Sequence, residues 1–346
     1  MLIAVITTVD VLTPHHVHLA PFLVAAPAVT ASFEGPVMTG IVGAVAVVAS
    51  SLVAAVRGTI TDLNYTFQIV ALVVISAIVT LFAQLRVRHE GQLTRLRSVA
   101  EAAQRVVLRP LPRRTGPLRI ASMYLAADAE AKIGGDLYAA ARTSGGTRLI
   151  IGDVRGKGLE AVGDAAVVLG AFRSAAHLQA ELPVLVAHLE GSVVADLADP
   201  DGQRTDGDVA GETFVTAAVL DVPDDESVLR VINCGHPAPL LLRRGGVVPL
   251  DVRQPAPPLG LAEFMDGDPA VETFGFATGD VVLLYTDGVI ECRDTSGAFY
   301  PLTDRVTRWC GETPEMLLAL LCEDLLAHAG GSLGDDAAVV AIERMP

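Results

Sequence analysis

Two stretches near the start of the chain carry no charged residue for longer than a helix needs to cross a bilayer. Residues 35–56 run between Glu34 and Arg57, and residues 63–85 between Asp62 and Arg86. A helix of about 20 apolar residues spans the hydrocarbon core, so each stretch predicts a membrane-spanning helix. A third uncharged run, 11–33, contains Pro14, Pro21 and Pro27 and reads as a broken span or a re-entrant segment. No basic residue precedes residues 2–9, so a cleaved signal peptide is not expected. Beyond Arg86, Leu93, Leu96, Ala100, Ala103 and Val107 recur at three- and four-residue spacing, which predicts a helix. That spacing suits a helix packed on the body or a short coiled coil, which would allow a homodimer through this linker helix, though two heptads are too few to assert one. Pro110, Pro112 and Pro117 end it.

From Leu118 the pattern changes to short runs of Val, Ile and Leu punctuated by Gly, Pro and Asp. Strands are predicted over 118–125, 136–142, 147–153, 214–221, 228–234, 240–243, 281–285 and 337–342, and helices over 159–178, 183–197 and 314–328. Strands adjacent in sequence with helices between and after them predict an α+β fold with antiparallel sheets, not a doubly wound parallel one. The expected organisation is a membrane-spanning helical region (1–85), a basic linker helix (86–115) and an α+β body (116–346).

Composition sharpens this division. Hydrophobic residues make up 51% of the 346, charged residues 19%, and the mean hydropathy is +0.48, which excludes a disordered chain. Residues 1–85 hold one basic and three acidic side chains, and residues 86–119 hold nine arginines against two glutamates. The remainder carries 15 basic and 35 acidic residues. Arginines beside the last span place that side, and the body beyond it, in the cytoplasm of a multi-pass membrane protein. An acidic body excludes nucleic acid as the main partner and suits a site that gathers divalent cations. Cys234, Cys292, Cys310 and Cys322 form no close pair and read as reduced thiols. His15, His16 and His18 have no acidic neighbour and read as interfacial histidines rather than a metal cluster.

Four aspartates flank strands beside glycine: Asp136 in Gly-Gly-Asp, Asp153 in Ile-Gly-Asp, Asp287 in Tyr-Thr-Asp-Gly and Asp335 in Gly-Asp-Asp. Each alone is an ordinary turn residue. Together, at strand ends, short carboxylates on stiff supports would repel one another unless cations lay between them, and they offer the fixed oxygens that Mg²⁺ demands. Periodicity does not show whether they converge.

The ordered motifs Ile-Gly-Gly-Asp-Leu-Tyr (133–138), Ile-Gly-Asp-Val-Arg-Gly-Lys-Gly (151–158), Phe-Val-Thr-Ala (214–217), Asn-Cys-Gly-His-Pro (233–237), Leu-Tyr-Thr-Asp-Gly-Val (284–289) and Asp-Asp-Ala (335–337) resemble the SpoIIE/RsbU-type branch of the bacterial protein phosphatase 2C (PPM) family. The resemblance covers about 118–343. It implies an α-β-β-α sandwich of two antiparallel sheets flanked by helices, and a serine/threonine phosphatase that uses two Mg²⁺ or Mn²⁺ ions. By position, it implies Asp153 as the carboxylate shared by both ions, with the Val154 carbonyl as a further ligand. Asp287 and Asp335 would complete one ion's shell and Asp136 would serve the other; Asp153 and Asp287 are then the catalytic pair. The substrate implied is a cytoplasmic regulatory phosphoprotein, in this branch often an anti-anti-sigma factor.

Some positions depart from the pattern. Arg155 stands where relatives have His or Ser, and either meets a phosphate oxygen or is a solvated loop residue. Ala338 replaces a Thr, which removes a hydroxyl but no ligand. Residues 152–158 fall one residue short of a P-loop and lack its Ser/Thr. Gly134-Gly135-Asp136 lacks the acidic and aromatic residues that follow it in cyclic-dinucleotide synthases. His236 reads as a structural hydrogen-bonding residue rather than a general acid, His177 and His188 as packing or surface residues, and the acidic stretch 196–212 as a loop. Two rival readings of the whole are a membrane signalling adaptor that binds phosphoproteins without hydrolysing them, and a phosphodiesterase for small molecules.

Overall fold

A computed structural model describes residues 2–12, 20–56, 63–127, 134–178, 181–197, 214–261 and 267–346. The histidines at 15, 16 and 18, the stretch 198–213, and Lys132 and Ile133 lie outside the described residues, as do the side chains of 90–106. The chain forms two compact units, 1–96 and 97–346.

The first unit is helical: α1 (Leu2–Leu12), a 3₁₀ turn (Ala20–Val24), α2 (Ala25–Phe33), α3 (Pro36–Val56) and the first part of α4 (Leu63–Val107). Two of its helical segments are long and apolar enough to span a membrane, Pro36–Val56 and Thr66–His89. On α3 the buried positions Thr39, Gly43, Ala46, Ser50 and Val53 form one narrow stripe. Most of the large apolar side chains of α3, including Val37, Ile41, Val45, Val48 and Leu52, are exposed. In water that outward apolar surface would be unfavourable by about 25 cal/mol per Å²; in lipid it costs nothing. Among the described residues of the third uncharged run, the end of α1, a 3₁₀ turn and the short α2 are found.

In the second unit, α4 ends at Val107, where the prolines begin. Its last carbonyl accepts a hydrogen bond from the Arg173 guanidinium at 2.8 Å. Among the described residues eleven strands follow: β1 (Arg114–Thr115), β2 (Leu118–Leu125), β3 (Leu137–Arg142), β4 (Gly146–Val154), β5 (Val215–Pro223), β6 (Val228–Cys234), β7 (Leu240–Arg243), β8 (Gly246–Pro249), β9 (Glu272–Gly275), β10 (Val281–Tyr285) and β11 (Ala337–Arg344). They make one sheet in the order β1-β2-β11-β10-β7-β8 and another in the order β3-β4-β5-β6-β9. Every strand pair is antiparallel, as the sequence predicts.

Helices cover both outer faces. α5 (Leu159–Ala175) and α6 (Leu182–Leu197) pack on the β3–β6 sheet, and α9 (Pro314–His328) on β2 and β11. Two short helices, α7 (Asp287–Ile290) and α8 (Leu302–Val306), lie between β10 and α9. Strands in such a sandwich are buried on both faces. On β11, Ala338, Val340 and Ile342 join the core shared with the second sheet and α5, while Ala337, Val339 and Ala341 join the core under α9. Hence the run reads as continuously apolar instead of alternating. α5 turns Ala161, Ala165, Val168, Phe172 and Ala175 inward, the i, i+4, i+7 stripe of an amphipathic helix. The structure extends several predicted strands by one or two residues, and α5 stops three residues short of the expected end. There the buried Arg148 of β4 donates to the Ala176 carbonyl at 3.0 Å, and the following residues turn away.

Candidate metal centre

The antiparallel registers bring the four aspartates together. Leu137 pairs with Gly152, which sets Asp136, one residue before β3, beside Asp153 near the end of β4. In the other sheet Tyr285 pairs with Val339, so Asp287 just after β10 and Asp335 just before β11 leave the same end. The two sheets present these ends to one cavity of about 210 Å³, lined by Asp136, Asp153, Val154, Asp287, Asp335 and Asp336 together with Arg155 and Lys157. All the predicted ligands and Arg155 therefore meet at one place.

Close backbone approach explains the glycines. A Cβ on Gly135 would lie 2.7 Å from the Val154 carbonyl oxygen, and one on Gly288 would strike the Asp336 carbonyl. One on Gly152 would strike the Thr216 carbonyl. Asp336, buried at the rim, is a brace: its carboxylate accepts the Ala127 N–H at 2.6 Å and the Gly134 N–H.

Two hydrogen-bonded ties cross between the sheets beneath the carboxylates. Thr286, fully buried, donates its hydroxyl to Asp136 Oδ2 at 2.8 Å and accepts the Ala338 N–H at 2.9 Å. On the other side, His236 lies between Thr216 Oγ1 at Nδ1 and the Tyr285 carbonyl at Nε2, each 3.1 Å away. A carbonyl only accepts, so Nε2 carries the proton and Nδ1 accepts from Thr216. Burial pulls the imidazole down to about 4, so it is neutral and structural, as the sequence reading holds. Sequence reasoning does not single out Thr286; the signal it offers is a small hydroxyl side chain directly after the apolar strand β10.

Burial and mutual repulsion dominate the electrostatics. Asp153 is pushed up to about 7, by burial first and then by the charges of Asp287 and Asp335. Asp136 rises well above the carboxylate range through burial and Asp153, against the opposing Thr286 bond. Asp287 rises through burial, Glu291 and Asp335. The donor set is all oxygen, which fits hard divalent cations. Among the described residues, no three His, Cys, Asp or Glu groups close on one point as the side chains stand. The carboxylates line the walls, an arrangement that suits ions that keep several waters, as Mg²⁺ does.

Arg155 is exposed at the cavity edge, its guanidinium 5.2 Å from the centre of the Phe214 ring. Lys157 Nζ pairs with Asp335 Oδ2 at 2.9 Å. His177 and His188 are exposed, and the four cysteines are free thiols.

Two outcomes follow for ion-free protein, read by urea unfolding with the single Trp309 as fluorophore. Between pH 7 and about 4, folded Asp153 holds a proton that the unfolded chain lacks, so its contribution to stability grows as pH falls. His236 acts in the opposite sense, because the unfolded chain takes up its proton first. That contribution is common to both proteins when wild type is compared with Asp153→Asn. The variant is expected to be the more stable above pH 7, with the advantage vanishing toward pH 4; a pH-independent difference would refute the assignment. Thr286→Val leaves the Ala338 N–H and Asp136 without their shared partner and should cost about 1–3 kcal/mol.

The domain family described as Stage II sporulation protein E (SpoIIE) matches residues 143–345. Among solved structures, the SiaA-PP2C domain of Pseudomonas aeruginosa superposes with a TM-score of 0.57 at 17% identity, over 71% of this chain and 95% of that one. The RsbU and RsbW domains of a Mycobacterium tuberculosis protein give 0.51 at 25% identity, over 66% of this chain and 60% of that one. The phosphatase domain and a regulatory fragment of Bacillus subtilis SpoIIE give 0.50 at 16%, over 65% and 63%. This chain thus spans less than two thirds of the last two. A match over more than half of the sequence establishes that the chain belongs to the SpoIIE family, and its body shares the two-sheet fold of PP2C-type phosphatase domains.

Proposed function

We propose that this protein is a membrane-anchored, metal-dependent phosphatase that removes phosphate from a phosphoserine or phosphothreonine of a cytoplasmic regulatory protein. The observation that carries the reading is the convergence of Asp136, Asp153, Asp287 and Asp335 on one cavity. Asp153, Asp136, Asp287, Asp335 and the Val154 carbonyl would hold two Mg²⁺ or Mn²⁺ ions. Such ions supply an activated water and neutralise phosphoryl charge, so that no covalent enzyme intermediate is needed. The chain's own part is positioning. Thr286 fixes Asp136, the glycines let the backbone close in, and Arg155 would meet a phosphoryl oxygen with its planar fork.

Residues 1–85 are proposed as the multi-pass membrane region and 86–115 as the linker. Residues 116–346 would be the cytoplasmic catalytic domain. The exposed apolar faces of α3 and α4 support the spanning reading, and Arg86 and Arg88 at the C-terminal end of the second span support that orientation. The Mycobacterium tuberculosis protein that joins RsbU to RsbW domains supports a sigma-factor-type regulatory partner, such as an anti-anti-sigma factor. The linker helix would be the seam of a homodimer.

Full-length protein in detergent should release phosphate from a phosphoserine protein with Mn²⁺. Asp153→Ala and Asp287→Ala should each lower the rate by at least about a hundredfold. Mn²⁺ binding with no turnover on any phosphoprotein would instead favour the non-catalytic adaptor. In cells, the chain should stay with membranes through an alkaline carbonate wash and leave them in detergent. Release by carbonate would remove the spanning reading.

A further inference from the structure

The cavity contains a cation of its own. Lys157 lies in the short link between β4 and α5, with its ammonium 2.9 Å from Asp335 Oδ2 and its backbone bridged to Gly134. Lys157 and Asp335 are each a little over two-fifths exposed, so the pair sits at the mouth where water and ions enter. The composition makes the choice of residue informative: this chain has 23 arginines and only two lysines, and one of the two is here. An arginine would grip the carboxylate with a planar two-pronged fork. A lysine offers a compact single charge on a flexible stem and releases its partner more readily. The flanking residues favour release as well. Gly156 and Gly158 hold φ of +117° and +95°, and a Cβ on either would meet nothing within 4 Å.

We propose that Lys157 is the resident counter-ion of Asp335. It holds that carboxylate in the ion-free protein and gives it up when a divalent ion loads. The inference rests on the metal-centre reading and adds to it an exchange step: one ammonium leaves Asp335 as one divalent ion arrives. Lys157 keeps the carboxylates from facing one another wholly uncompensated. It also makes the Asp335-side ion the weaker of the two, because that ion must displace a bound charge and then tolerate it nearby. Loading of this ion then depends on where residues 155–158 place the ammonium.

The test is calorimetric titration of Mn²⁺ into chelator-stripped full-length protein in detergent. Lys157→Met keeps the stem and removes the charge; Lys157→Gln is a second neutral variant, and Lys157→Arg retains the charge. Both neutral variants should bind the weaker Mn²⁺ about three- to tenfold more tightly than wild type, while Lys157→Arg should not gain affinity. In an Asp335→Asn background, Lys157→Met should give no such gain. A merely structural role would make the neutral variants bind more weakly. Unchanged or weaker binding in both, with wild-type Mn²⁺ uptake lost in Asp153→Ala, would overturn the role of Lys157 alone. Absence of Mn²⁺ uptake by wild type would overturn the metal-centre reading and this inference with it.

Discussion

Repulsion among carboxylates at one end of a β-sandwich is the constraint on which the rest of this body depends. Asp136 and Asp153 belong to one sheet and Asp287 and Asp335 to the other, so the site exists only while the two sheets keep their spacing. Like charges at that seam push the sheets apart. The apolar faces of β4, β5, β10 and β11 pull them together, and the two cross-sheet ties act where repulsion is greatest. The tie at His236 works because its imidazole is neutral: one nitrogen donates and the other accepts. A protonated ring would lose the Thr216 bond and add an unpaired buried charge. The tie at Thr286 works because one hydroxyl serves both sheets, accepting from the Ala338 N–H and donating to Asp136.

Ala338 bears on the same arrangement. Where the family pattern has Thr, this chain has a fully buried alanine whose backbone, rather than its side chain, engages Thr286 in both directions. Losing the hydroxyl at 338 therefore leaves the tie to Asp136 intact, and the substitution does not reach the carboxylates. Arg155 has no such backbone substitute. Its cation sits over Phe214, just before β5.

Much of the fold was legible because burial on both faces gives strands a distinctive sequence. Runs such as Val281–Tyr285 are too short for a helix to bury and too apolar to face water, which leaves the inside of a sandwich. The long apolar segments of the first unit were legible for the opposite reason, since α3 has no polar outer face at all. The aspartates were legible singly, as residues beside glycine. Their convergence was not, because it depends on register, and register is set by strand pairings that no local pattern shows, such as Tyr285 with Val339. The roles of Thr286 and Asp336 were hidden for the same cause. Each bonds to partners remote in sequence, and each stands beside a more conspicuous aspartate.

The same physics that makes the ion-free cavity costly gives it affinity for cations. Burying Asp136 and Asp153 side by side raises the free energy of their charged forms, and at Asp153 a proton relieves it only as pH falls toward 7 and below. A divalent cation relieves it at any pH at which the carboxylates can ionise, and its binding free energy adds to the stability of the folded state. Sheets that hold their acids rigidly apart from water thus exchange stability in the ion-free state for selectivity in the loaded one. A looser loop carrying the same four residues could let them separate, and would lose both the strain and the affinity. That is why the aspartates stand at the ends of strands, with glycines beside them, and not on the surface loops where the turn chemistry of Asp and Gly would otherwise place them.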